Sequence, residues 1–183
     1  PLEKKPYDRT MKRLALLLLL LPALAGAKTP DENDLLDRTL DSSSPFYYPN
    51  LMMRYNAGDS TLTAEDYHYL YYGYAYQEAY KPLEVNPDLD RVYTTVAILD
   101  PELPQREHLE RLVSAGTDAL RRDPFNPRVL NLMAFAYGAL GDGESELAYY
   151  RKLKAVLATI EASGDGLTPV SYTHLRAHET CAD

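Results

Sequence analysis

The spacing of apolar residues along the chain predicts helices. Over residues 31–40 and 47–55 the apolar side chains fall on one face of an α-helix. Thr63 is followed three residues later by Asp66, which approximates a capping box, the reciprocal pair of hydrogen bonds that begins many helices. A third helix is therefore predicted to begin after Thr63.

Prolines divide the next stretch and leave room for one helix. Asn86 suits the cap position and Pro87 the first turn of a helix that would end near Leu99. The run from Val92 to Ile98 is rich in β-branched residues, which favour strands. A helix is the preferred prediction, and a strand stays open as the alternative.

Three more amphipathic segments follow residue 105, joined by short breaks. The first ends at a break over residues 123–127, the second runs from Val129 to Leu140, and the third from Glu144 to about Ala162. Short links are typical of helices that are antiparallel neighbours. Two helical hairpins that share the middle helix are therefore predicted.

The predicted fold class is all-α, with these antiparallel hairpins over residues 105–169 packed on a tyrosine-rich helical part over residues 28–104. The residues expected to face inward from the last helix are Leu147, Tyr150, Leu153, Val156, Leu157 and Ile160.

The hairpins resemble a tetratricopeptide repeat. The positions that match are Ala119 and Pro124 at the end of one repeat, then Leu130, Ala134, Tyr137 and Gly141 in the next. Glu146 departs from the pattern, because a small residue is expected there. Only about one and a half repeats are visible, and a repeat array needs about three, so the N-terminal helices are expected to complete the packing.

The N-terminal residues predict export. Lys12 and Arg13 precede an apolar run and then small residues up to Ala27, the arrangement of a secretory signal peptide. The run is shorter than the roughly 20 residues that span a bilayer. We therefore expect residues 11–27 to be a signal peptide and residues 1–10 to be untranslated leader or an alternative start. The mature protein would be periplasmic or envelope-associated, without a membrane span.

The segment over residues 170–183 resembles the translation of a transposase-type sequencing-library adapter, whose codons match its first eleven residues in order. On this interpretation the gene continues past Pro169 and the chain is truncated at its C-terminus. His174, His178 and Cys181 are spaced like metal ligands. They would then not belong to the protein, so no metal site is predicted from them.

The chain is acidic. It has 19 basic and 27 acidic residues and a formal net charge of −8. Residues 28–169 alone have 13 basic and 23 acidic residues, which gives −10. An acidic surface repels phosphates, so nucleic acid is not expected as a partner. The single cysteine excludes an internal disulfide.

Tyrosine is the unusual component, at sixteen residues against three phenylalanines and no tryptophan. Ten of the sixteen lie between Tyr47 and Tyr80, and their helical spacing favours core and rim positions. Tyrosines on opposite faces of one helix cannot all point inward. An exposed aromatic strip that binds a protein, peptide or glycan therefore stays open, with Tyr69, Tyr72 and Tyr76 as its candidate binding residues.

A set of short motifs spans residues 34–168. They are Tyr48-Pro49-Asn50-Leu51, Arg54-Tyr55, Gly58-Asp59-Ser60-Thr61-Leu62-Thr63, Asp66-Tyr67, Leu70-Tyr71-Tyr72-Gly73-Tyr74, the break at 123–127, and Ser163-Gly164-Asp165-Gly166. Together they resemble domain-of-unknown-function family 4919, whose members are exported bacterial proteins. The resemblance implies an envelope protein with a helical, repeat-like body that continues beyond Gly166, and it implies no activity.

No catalytic, cofactor-binding or metal-binding residue is predicted. His68 lies near Glu65 and Asp66, but no serine or cysteine nucleophile in a known motif accompanies it, so we interpret it as a partly exposed helix histidine. The carboxylates of Glu65 and Asp66 lie about 100° apart around the helix axis, so they are not placed to act together in glycoside hydrolysis. We expect them to stabilise the positive end of the third helix instead.

The sequence therefore predicts an exported helical scaffold that binds a protein, peptide or glycan through a tyrosine-lined face. The alternative is a hydrolase whose active site is completed by the missing C-terminal segment.

Overall fold

The computed structural model describes residues 30–164, and all of its regular elements in that range are helical. The seven α-helices there are α1 (Glu32–Leu40), α2 (Tyr48–Asn56), α3 (Ala64–Gly73), α4 (Pro87–Ala97), α5 (Arg106–Arg122), α6 (Pro127–Leu140) and α7 (Gly143–Glu161), with a 3₁₀ turn over Tyr74–Tyr76. The all-α prediction is confirmed. The strand alternative for residues 92–98 is wrong, because α4 covers most of that run.

Three of the predicted segments, residues 1–10, 11–27 and 170–183, lie outside the described residues. Within residues 30–164, no helix is both long and apolar enough to cross a membrane.

Local capping signals place the helix ends. Both bonds of the capping box are formed, since the Thr63 hydroxyl accepts from the Asp66 N–H at 3.1 Å and the Asp66 carboxylate accepts from the Thr63 N–H at 2.8 Å. Asn86 caps α4 by accepting from the Asp88 N–H. Gly141 ends α6 with φ of 84°, in the left-handed region that favours glycine.

Consecutive helices from α4 to α7 pack on each other. The links between α5 and α6 and between α6 and α7 are short, so these helices form the predicted antiparallel hairpins. A glycine lets two of them approach closely, because a Cβ at Gly116 on α5 would overlap the sulfur of Met133 on α6. The tetratricopeptide likeness itself stays a prediction.

Helix α3 joins the tyrosine-rich part to the hairpins, because it contacts α1, α2 and α7. Its Leu70 and Tyr71 are fully buried in a core cluster that also contains Phe125 and Val156 from the hairpins. A second cluster lies among α4, α5 and α6 around Leu112. The tyrosine block is therefore mainly core.

The prediction of which α7 residues face the core is partly wrong. Leu147, Tyr150 and Leu157 are exposed, whereas Val156 is fully buried and Ile160 packs against the core. Within the described residues α7 packs mainly on α3 and α6, which leaves the side of the helix that carries Leu147, Tyr150 and Leu157 exposed.

Candidate binding cleft

The three tyrosines predicted to bind a ligand are not equally placed. Tyr69 is 2% exposed and Tyr72 is 7% exposed, while Tyr76 is half-buried and packs against the core. The expected exposed strip is therefore wrong for Tyr69 and Tyr72. The physical reason is that α3 has helices on several sides, so opposite faces of it are both buried.

The Tyr69 hydroxyl has a structural partner inside the protein. It donates to the Asp34 carboxylate on α1 at 2.6 Å, while the ring stacks on Phe46 with centroids 4.2 Å apart. Burial, followed by this hydrogen bond, raises the pKa of Tyr69 to about 12. Tyr69 thus fastens α1 to α3.

The sequence-based interpretation of His68 as partly exposed is also wrong. His68 is buried, and its ring lies 5.3 Å from that of Tyr69 and 5.2 Å from that of Tyr72. It belongs to the aromatic packing of α3.

A cleft of about 570 Å³ opens elsewhere, between the segment that follows the 3₁₀ turn and the corner where α5 meets α6. Tyrosines still line it, but they are Tyr74, Tyr80 and Tyr93. Tyr74 and Tyr80 meet edge to face with centroids 5.4 Å apart, and Tyr93 on α4 is 41% exposed. These three tyrosines are different from the three that the sequence analysis named.

Side chains from other elements hold the corner that forms one wall of this cleft. The last carbonyls of a helix have no partner within it, and at the end of α5 the Tyr74 hydroxyl donates to the Arg122 carbonyl at 2.6 Å. The Asn86 amide donates at 3.2 Å to the Ala119 carbonyl, which also accepts from the Asp123 N–H. Tyr55 donates to the carbonyl of Pro124, two residues beyond Arg122, at 2.8 Å. The wall is thereby tied to α2, to the 3₁₀ turn and to the start of α4.

Exposed apolar residues lie at or near the cleft. Val85 lines the cleft, its neighbour Leu83 is almost fully exposed, and both lie in the proline-punctuated segment before α4. A free-standing apolar side chain is ordinary on a protein surface. Val85 and Tyr93, both exposed, line the same concave surface, and apolar side chains in a concave surface are typical of a binding site.

Basic residues gather at the cleft although the chain is acidic. Its lining contains Lys81, Arg121, Arg122 and Arg128 against two acidic residues. Two of these arginines take part in ion pairs, Arg121 with Asp118 at 2.7 Å and Arg122 with Asp88 at 3.5 Å. Ion pairs of this exposed kind hold side-chain geometry more than they add stability.

The model of one protein family, described as a domain of unknown function (DUF4919), matches residues 35–176. The chain belongs to this family. The resemblance drawn from the tyrosine motifs is thus confirmed, and the match extends beyond residue 168, where that resemblance ended. The chain matches no curated protein and no solved structure.

In this DUF4919 chain, the sequence analysis did not identify Tyr80, Tyr93 and Val85 as site residues. The sequence did contain a signal for an exposed apolar site. Leu83 and Val85 lie in a short segment between Pro82 and Pro87, where no helical spacing of apolar residues would bury them. Within residues 30–164 no cluster of His, Cys, Asp and Glu is arranged to hold a metal ion.

Proposed function

We propose that this protein is an exported, envelope-associated helical scaffold that binds a peptide or protein segment in the cleft lined by Tyr74, Tyr80 and Tyr93. The observation that supports this most is the half-exposed Tyr93 ring, which lies at a cleft of about 570 Å³ beside the exposed Val85. Tyrosine suits such a site because its rigid ring offers a large contact area and a polar tip.

The chemistry of the cleft favours a peptide over a glycan. Sugar hydroxyls are commonly bound by planar polar side chains, and the two asparagines of the cleft already bond within the fold. Asn86 bonds to the N–H of Asp88 and the carbonyl of Ala119. Asn126 bonds to the N–H of Val129 and the carboxylate of Asp123. What the cleft offers is aromatic and aliphatic surface with a basic edge, which suits apolar and acidic side chains.

Selection of peptides from a random display library on the full chain tests this proposal. The dissociation constant of a selected, fluorescently labelled peptide is then measured by fluorescence anisotropy, alongside labelled oligosaccharide fragments of bacterial envelope glycans. We expect peptides rich in apolar and acidic residues to be selected, and the oligosaccharides to bind more weakly.

The matched pair of variants is Tyr93→Ala and Tyr150→Ala. Both tyrosines are exposed to a similar extent, 41% and 49%, but Tyr150 lies on α7 and does not line the cleft. Loss of a central aromatic contact typically weakens binding about 10-fold or more. Tyr93→Ala should show that loss and Tyr150→Ala should not. Equal affinities of the two variants, or tighter binding of the glycan fragments, would overturn the proposal.

A further inference from the structure

Lys152 on α7 carries a partly buried ammonium group that lies over two tyrosine rings. Its Nζ lies 4.4 Å from the centre of the Tyr55 ring and 5.4 Å from that of Tyr149. Among residues 30–164, no hydrogen-bond acceptor or acidic side chain pairs with it. The contrast is with the arginines that do pair with Asp or Glu in the same range: Arg38, Arg54, Arg91, Arg106, Arg111, Arg121 and Arg122.

The missing partner is unexpected on physical grounds. The chain has a net charge of −8, so carboxylates are abundant. The faces of two tyrosine rings attract a cation, but they accept none of the three N–H bonds that an ammonium group can donate. Burial of the group lowers the pKa of Lys152, as expected where no anion compensates the lost hydration.

Two cavities meet at this lysine, and Tyr55 lines both of them. The larger, of about 310 Å³, has apolar walls of Met52, Leu120, Pro124, Leu130 and Tyr149, with Asn56, Thr117 and Arg121 as its other lining residues. The smaller, of about 160 Å³, includes Asp59, Ser60 and Arg151. Lys152 therefore lies between two cavities, the larger of which offers an apolar surface beside the ammonium group.

We propose that Lys152 binds the carboxylate of an amphipathic ligand whose apolar part occupies the cavity walled by Leu130 and Tyr149. The surroundings favour an anion, because Arg151 and Arg121 also line the two cavities and, within residues 30–164, Asp59 is the one carboxylate among their walls. Asp59 is itself engaged by Arg54 at 2.8 Å and stays ionised. The ligand is then either a free aliphatic acid or the C-terminal residue of a peptide.

The first test compares octanoate with octanol on the full chain by isothermal titration calorimetry. The two probes share the apolar part and differ in the charged group. A hydrogen bond to a charged group is expected to give octanoate about 10-fold or more higher affinity. This comparison needs no variant, so it holds even if a substitution disturbs folding.

The second test uses the same helix for a matched control. Lys154 also lies over a tyrosine ring, with Nζ 5.9 Å from the centre of Tyr150, but it is exposed and lines neither cavity. Lys152→Met should weaken octanoate binding about 10-fold or more, whereas Lys154→Met should leave it unchanged. Lys152→Arg should retain a measurable part of the binding, because it keeps the charge.

The two sources of the carboxylate are separated with short peptides that end in leucine, one with a free C-terminus and one amidated. We expect at least one of the two carboxylates, octanoate or the free peptide, to bind better than its neutral counterpart and to lose that advantage in Lys152→Met. The proposal is overturned if neither carboxylate outbinds its counterpart, or if Lys152→Met binds both as the native chain does. Tyr93→Ala should leave octanoate binding unchanged, which separates this site from the cleft.

Discussion

The Tyr74 hydroxyl donates a hydrogen bond of 2.6 Å to the backbone carbonyl of Arg122, 48 residues further along the chain. Arg122 is the last residue of α5, so its carbonyl has no partner within the helix. Tyr74 belongs to the 3₁₀ turn that follows α3. This one bond therefore connects the tyrosine-rich part to the corner that forms a wall of the cleft.

Removal of that hydroxyl should destabilise the fold. Tyr74→Phe keeps the ring and leaves the Arg122 carbonyl without its donor, and such a loss costs about 1 kcal/mol of the free energy of unfolding. Urea unfolding measures it. Tyr93→Phe, on an exposed ring, is the control and should unfold at the same urea concentration as the native chain. If Tyr74→Phe also unfolds at that concentration, the bond does not stabilise the corner.

A methyl group at Gly73 should be poorly tolerated. A Cβ there would lie 2.7 Å from the Cγ2 of Thr39, a fully buried residue whose hydroxyl donates to the Leu35 carbonyl at 2.6 Å. Because Thr39 is held in place, Gly73→Ala should lower the free energy of unfolding by about 1–3 kcal/mol.

The matched control for that substitution is Gly143→Ala. Gly143 is the first residue of α7, and a Cβ there would meet nothing within 4 Å. Alanine is the better helix former, so this variant should be unchanged or up to about 1 kcal/mol more stable. Thermal and urea unfolding of the two variants should shift in opposite directions or by clearly different amounts. A similar shift in both would contradict the proposed crowding at Gly73.

The buried tyrosines should make the fold sensitive to alkali. Burial raises the pKa of Tyr67 to about 12, above the value of 10.0 for an unperturbed tyrosine. A raised pKa in the folded state contributes stability that is present below pH 10 and is lost as the pH rises to about 12. The native chain should therefore lose stability steeply in that window. Tyr67→Phe should show a shallower loss over that pH window by urea unfolding, and an equally steep loss would contradict this linkage.

Asp59 should make the stability of the fold depend on pH in the opposite direction, with a loss in acid. Its pKa falls to about 2, first because the Thr61 side chain and backbone bond to the carboxylate and then because of the Arg54 guanidinium. A depressed pKa contributes stability that is present above about pH 4 and is lost as the pH falls to about 2. The difference in unfolding free energy between the native chain and Asp59→Asn should therefore shrink over that interval. A difference that does not change with pH would contradict this linkage.

The helix boundaries could be predicted because their signals are local. The capping box at Thr63 and Asp66 and the cap at Asn86 use partners within three residues. The ending of α6 at Gly141 depends on the backbone freedom of that one residue. Such features need no knowledge of what lies next to the helix.

The position of the candidate site could not be predicted in the same way. Tyr69 and Tyr93 have the same side chain, yet Tyr69 is buried and bonded to Asp34, and Tyr93 lies half-exposed at the cleft. The difference arises from the neighbours of their helices, since α3 is enclosed and α4 packs mainly on α5. The spacing of apolar residues in a sequence shows which residues share a face of a helix. It does not show which face another helix covers.

The sequence by itself therefore determined the all-α class, the helix ends and the hairpins of α5, α6 and α7, because backbone hydrogen bonding and capping act over a few residues. Only the tertiary structure decided which tyrosines are core, why Leu147 and Leu157 are exposed, and where the cleft and Lys152 lie. Burial and cavities depend on contacts between residues far apart in the chain, such as Tyr55 with Pro124 and Tyr74 with Arg122.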